Sequence, residues 1–135
     1  MKKGISILDR AKADLWAAKL ILSMATDAVN MDISAYHCQQ CIEKTVKFII
    51  GLEGKEYTPR HELYLILEDL ENEAVKQLVD PISSIVDGWA VSPRYSNSIR
   101  SNVKQIEKII IICEQLIEIA QSKIPKKEET KKPKK

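Results

Sequence analysis

Apolar residues in this chain recur three and four positions apart over long stretches, and nowhere do they alternate as they would along a half-buried strand. One run is Leu8, Ala11, Leu15, Ala18, Leu22, Ala25 and Val29. Another is Val103, Ile106, Ile110, Cys113, Ile117, Ala120 and Ile124. Between them lie Ala35, Cys38 and Ile42, with Cys41, Phe48 and Ile49 on the same side. Such spacing puts an apolar stripe along one side of each helix. We therefore expect an all-α fold with no strand and no internal repeat.

The stripes are wide. Trp16, Leu20 and Met24 form a second row on the first helix, which suggests contacts on two sides. Ile109, Ile112, Leu116 and Ile119 do the same on the last. That face is broader than one antiparallel neighbour needs, so we expect core on one side and a second subunit on the other.

Breakers and caps divide the chain into about five helices. Ser6 and Asp9 have the spacing of a capping box and open a helix over residues 5–29, about 38 Å long. Asn30-Met31-Asp32 reads as the turn, with Asp32 or Ser34 capping a helix that Gly51 and Gly54 stop. Thr58-Pro59 reads as the start of a third helix over 59–71, with residues 72–79 helical after a break. Asp80-Pro81 restarts the chain, and Ile82, Ile85 and Val86 give a short fourth helix. Residues 88–96 are irregular and hold Trp89, Pro93, Arg94 and Tyr95; they either bind something or use Trp89 to plug a helix end. The last helix is expected over 97–123.

At 135 residues the chain is long enough for one domain, placed at 1–124. Residues 126–135 hold six Lys and two Glu, a charge of +4, which leaves −2 on the rest of a chain whose net charge is +2. A mildly acidic body argues against a whole-domain electrostatic grip on nucleic acid. The Lys-rich segment, taken from 125 to 135, is too polar to pack and is expected to be disordered. Three cysteines, no apolar run of membrane length and no secretory signal point to a cytoplasmic, reducing setting.

Cys38 and Cys41 have CxxC spacing, but both fall inside a helix, away from the N-terminus that lowers a thiol pKa. A zinc site needs four ligands, and beyond this pair only Cys113, His37 and His61 remain. We expect no metal and no cofactor, and read the cysteines as small apolar core residues. His37 and His61 are the two imidazoles available for proton transfer. His37, Gln40, Lys44 and Lys47 line one polar stripe of the second helix. Tyr36, Gln40 (or Gln39), Glu43 and Lys47 form an adjacent row. Arg60 and His61 sit where the third helix is expected to open, a position at which cations oppose the macrodipole and exposed N–H groups suit phosphate.

Taken together, these pieces resemble the HEPN domain family. The matching residues are Ala35-Tyr36-His37-Cys38-Gln39-Gln40-Cys41-Ile42-Glu43-Lys44 through Lys47, then His61-Glu62-Leu63, then Arg94-Tyr95, over about residues 5–122. The resemblance implies an up-down bundle of about five helices, two of them long and antiparallel, usually paired as a homodimer. It implies links to nucleotides or RNA, and a frequent partnership with small nucleotidyltransferases in toxin–antitoxin or defence modules. Many members are metal-independent ribonucleases that carry an Arg, four to six residues, then a His. None of Arg10, Arg60, Arg94 and Arg100 has a His at that spacing. The expected role is therefore binding of a nucleotide, RNA or a nucleotidyltransferase. The expected site is His37, Gln40, Lys44, Lys47, Arg60, His61, Arg94 and Tyr95, with no catalytic residue assigned. The expected dimer seam lies on the first and last helices. The alternatives are a ribonuclease built on His37 and His61, with Arg94 for charge, and a helical scaffold without a ligand. Whether the chain is an enzyme stays open, and the missing motif weighs against it.

Overall fold

The computed structural model describes residues 4–24, 27–56, 59–90 and 101–125. Among them the fold is all-α: α1 (Ile7–Met24), α2 (Ala28–Leu52), α3 (Leu63–Ile66), α4 (Glu73–Val79), α5 (Ser83–Asp87) and α6 (Val103–Ser122). Two 3₁₀ turns, Leu67–Asp69 and Asp80–Ile82, extend α3 and lead into α5.

Three long helices make the frame, and their cross-contacts fix its directions. Ser34 Oγ of α2 donates to Ala18 O of α1 at 2.8 Å, and His37 of α2 meets Asp14 of α1. Going up α2 means going down α1, so the two form an antiparallel hairpin. Ser101, just before α6, meets Asp32, and Cys113 of α6 meets Cys38. Thus α6 runs parallel to α2, and it lies against α1 as well, where Lys19 pairs with Glu114 at 2.7 Å. The short helices α3, α4 and α5 close the end of the frame towards the C-terminus of α2.

The α1 seam works because its inward residues are small. Ala11 and Ala18 have no exposed surface, so the backbone of α2 comes close enough for the Ser34 bond. Elsewhere the core is aliphatic: Ile42, Ile49 and Ile50 from α2 share one buried cluster with Leu63 and Ile66 of α3 and Ile106 and Leu116 of α6. Each such side chain contributes about 1.5–3 kcal/mol on burial.

The capping box is present in both directions: Asp9 N donates to Ser6 Oγ at 3.1 Å and Ser6 N donates to Asp9 Oδ2 at 3.0 Å. Other boundaries differ from expectation. The cap of α2 is Asp27, extended at φ −136°, whose carboxylate accepts from Asn30 N at 2.8 Å. Residues 30–32 are therefore helical, and Val29 is an exposed residue of α2 and no part of the α1 seam. Gly51 stays inside α2; the turn comes at Gly54, whose φ of +86° suits glycine. Ile124 lies beyond α6 and is exposed.

The third helix begins four residues later than Pro59 suggests, at Leu63. The reason is tertiary: Leu63 N donates to Asp87 Oδ1 at 2.8 Å, so the end of α5 caps α3. Trp89 is buried at the end of α5, where its N–H backbone group bonds Val86 O, so it belongs to the core. Residues 91–100, which hold the rest of the irregular stretch and the expected start of the last helix, and the Lys-rich 126–135 lie outside the described residues. The last helix begins at Val103 instead of at 97, because Asn102 caps it by accepting from Gln105 N at 2.9 Å.

Candidate functional site

The polar flank of α2 is built on two carboxylates, one supplied by each helix of the hairpin. Asp14 sits on α1 three residues after Ala11 and four before Ala18, at the edge of the seam facing α2. Its Oδ1 accepts from His37 Nδ1 at 2.9 Å and its Oδ2 accepts from Lys44 Nζ at 2.6 Å. His37 and Lys44 lie seven residues apart, two turns of α2, so both reach one carboxylate on the neighbouring helix.

Glu43 repeats the pattern on the next flank. Its Oε2 accepts from Lys47 Nζ at 3.1 Å and from His61 Nδ1 at 2.7 Å, while its Oε1 accepts from Gln39 Nε2 at 2.9 Å. Gln39 Oε1 in turn accepts from Gln40 Nε2 at 2.6 Å. Gln40 lies on the row of His37 and Lys44 and through this bond reaches the Glu43 group, so both groups stand along the polar flank of α2 as one ridge.

The two groups differ in depth. The Glu43 and Lys47 side chains are only 8% and 10% exposed, whereas His61, on the extended segment before α3, is 74% exposed. Lys44 and His37 are about equally open, at 27% and 29%, above an Asp14 side chain that is 12% exposed. In both groups the carboxylate can only accept, so each imidazole spends its Nδ1–H on it and keeps Nε2 for other contacts.

Burial pushes the Asp14 carboxyl up, but the hydrogen bonds and charges of His37 and Lys44 outweigh it and hold the group below the ordinary aspartate range. Asp87 shows the opposite balance. Burial first, and then the negative charges of Glu62 and Glu43, push it up, although the Leu63 and Tyr64 backbone N–H groups pull the other way.

Of the eight residues expected at the site, the structure brings five onto one ridge: His37, Gln40, Lys44, Lys47 and His61. Arg60 is exposed beside His61 but does not open a helix, and neither does His61, because α3 starts beyond them. Arg94 and Tyr95 lie outside the described residues. Asp14 was not among the expected residues, nor was Gln39 a firm one. The signal for Asp14 was its register: an acid at seam spacing between two alanines has nowhere to point but towards the partner helix.

Among the described residues the ridge is open to solvent at His61 and part-open at His37 and Lys44. Three grooves on the described surface are lined by other residues: one between α3 and α4 beside Tyr64, Leu67 and Pro81, and two along α1 and α6 on either side of Lys19. Cys38, Cys41 and Cys113 are buried together between α2 and α6. The neighbouring Cys38 and Cys41 sulfurs, and then burial, push the Cys113 thiol well up, which disfavours the reactive thiolate. Among the described residues no group of three or more His, Cys, Asp or Glu is arranged to hold a metal ion, and no helix is long and apolar enough to cross a membrane.

Residues 6–124, which include the whole ridge, match the HEPN domain family. Over 96 residues the chain is 33% identical to a protein of Methanocaldococcus jannaschii named "Putative toxin MJ1304"; the match covers 65% of this chain and 60% of that protein. No solved structure matches the chain significantly.

Proposed function

The chain belongs to the HEPN domain family, and from that premise we propose that it is the toxin-type component of a two-component module and engages single-stranded RNA through the α2 ridge without cutting it. The toxin assignment leans on the name of the relative, of which the chain spans only about 60%. The RNA assignment leans on the ridge.

One observation carries the choice of binding over cleavage. Cleavage through a 2′-hydroxyl needs an acid and a base within hydrogen-bond reach of one phosphate. His61 hangs on Glu43, which is six residues beyond His37 on α2. Six residues correspond to about 9 Å along the axis and about 120° around it. The two imidazoles are fastened to different carboxylates, Asp14 and Glu43, which favours contacts along a strand over a shared phosphorus. The absence of an Arg with a His five to seven positions on points the same way. A surface ridge also suits a strand better than a mononucleotide, which favours an enclosing pocket.

A second copy of the chain fits the far side of the molecule. Trp16, Leu20 and Met24 stand in an exposed row on α1, and Ile111 is exposed on α6 across an apolar groove that includes Leu22, Met31 and Ile110. The Trp16–Leu20–Met24 row and the groove both lie along α1 and α6, so two copies related by a twofold axis can each set its row into the other's groove.

The test is a short mixed-sequence single-stranded RNA without added metal, followed by fluorescence anisotropy for binding and by gel for integrity. Wild type is expected to bind and leave the RNA intact. Lys44→Ala and His61→Ala are expected to bind several-fold more weakly, at about 1 kcal/mol or more per lost contact. Absence of binding sinks the proposal, and cleavage that disappears in His61→Ala replaces it with the ribonuclease reading.

A further inference from the structure

The cations of the ridge are not idle. Asp14 holds His37 on one carboxylate oxygen and Lys44 on the other, at 2.9 and 2.6 Å. That is the two-oxygen, two-donor arrangement in which a phosphodiester would present its non-bridging oxygens. The place a phosphate would take is already occupied by an anion from α1.

Glu43 is a different case. It is nearly sealed, with three partners, and Lys47 beside it has almost no solvent of its own. Its charge balances a buried lysine and belongs to the framework. Asp14 sits under two part-exposed donors, the His37 ring and the Lys44 ammonium, where an incoming strand has to meet it.

We propose that Asp14 is a built-in competitor for RNA phosphate, which keeps the His37–Lys44 subsite occupied until a strand displaces or shares it and so sets the affinity of the ridge. The proposal rests on the RNA reading given above. Because the Asp14 carboxyl is held below the ordinary range, it stays ionised at neutral pH and the competition is present under ordinary conditions. Lys44 carries three donors, so it can turn from Asp14 to phosphate without losing its charge partner altogether.

The consequence runs against the usual effect of deleting an ion pair in a binding site. Asp14→Asn keeps the shape and one acceptor oxygen but removes the negative charge. It is expected to tighten binding of the same RNA roughly threefold or more, since one opposing charge within a few ångströms of the phosphate is gone. It should also steepen the dependence of log affinity on log salt by about 0.7, the increment for one more cation released from its internal partner to a single-stranded phosphate. A merely structural role would not move that slope. In the double variant Asp14→Asn with Lys44→Gln, the gain should disappear. Asp14→Ser, which removes the carboxylate without leaving an amide in its place, is expected to give the same sign and replaces Asp14→Asn should that variant melt far below wild type. If wild type binds RNA and both substitutions leave affinity equal or weaker, the competitor proposal is overturned while the RNA reading stands. If neither wild type nor variants bind RNA, both fall together.

Discussion

His61 Nδ1 donates to Glu43 Oε2 at 2.7 Å, so a side chain on an extended connecting segment is fastened to the middle of α2. The same carboxylate also holds Lys47 and Gln39. One residue thus anchors the segment before α3 and neutralises a lysine with little access to water.

From this we expect Glu43→Ala to destabilise the protein by about 3 kcal/mol, because removing one member of a buried pair leaves the other charge uncompensated. His61→Ala, at a mostly exposed residue, should cost less than about 1 kcal/mol. Urea unfolding of the two variants beside wild type checks the ratio. Equal, small losses would mean that the Glu43–Lys47 pair is not sealed in solution.

Asp14 and Asp87 predict opposite acid responses. Asp14 has a depressed folded pKa, so its contribution to stability is fully present above the unfolded aspartate value of about 4 and is lost as pH falls through the lower folded value. Asp87 has a raised folded pKa, so its ionised form opposes folding at neutral pH, and that penalty fades as pH falls through the raised value towards about 4. Thermal melts from pH 7 downwards should therefore show Asp87→Asn no less stable than wild type at neutral pH, since asparagine still accepts from Leu63 N. The difference should close on mild acidification. Asp14→Asn should be less stable than wild type at pH 7 and converge with it only in stronger acid. Parallel curves for all three proteins would contradict the assignment.

The long helices were legible because their apolar spacing is local and repeats many times. The polar flank of α2 was legible for the same reason: its four residues share one helix, and their spacing sets their directions. One miss was local: Asn30-Met31-Asp32 looks like a turn, yet Asp27, three residues before Asn30, already caps α2, and Asp32 meets Ser101 just before α6. Others arose where a distant residue decided. Pro59 looks like a helix start, yet Asp87 caps the helix at Leu63 from another element. The charge balance of the site was hidden for the same reason. The ridge reads as cationic on α2 alone, and half of its counter-charge comes from Asp14, on another helix.

The tightness of the α1–α2 seam makes a sharp claim about volume. Ala18 has no exposed surface, and its carbonyl receives Ser34 Oγ at 2.8 Å. Ala18→Leu adds bulk where two backbones nearly touch, and we expect it to cost about 2–3 kcal/mol by overpacking. Because Asp14 lies one turn away, prying the two helices apart should also draw it off His37 and Lys44 and so tighten RNA binding. Ala17→Leu, next to it but on a more open part of α1, should leave both unaltered. Chemical unfolding and anisotropy on the two variants distinguish seam strain from a general intolerance of leucine.

The second-copy proposal is decided by the outer row of α1. Trp16 is 67% and Met24 71% exposed in the single chain, more than scattered surface apolars need, and with Leu20 they make one continuous strip at helical spacing. Burying such a strip against its twin would remove a large aromatic and two flexible aliphatic chains from water on each side, at about 25 cal/mol per Å² of apolar surface. The groove beside the strip is lined by α1 and α6 residues and by none of the ridge, so disrupting the strip should separate assembly from RNA contact. We expect wild type to elute with the mass of two chains in light scattering after size exclusion, and Trp16→Glu with Met24→Glu to elute as one, with an unchanged helical circular-dichroism spectrum. A wild type that is monomeric at high micromolar concentration would remove the second copy from the proposal and leave the ridge untouched.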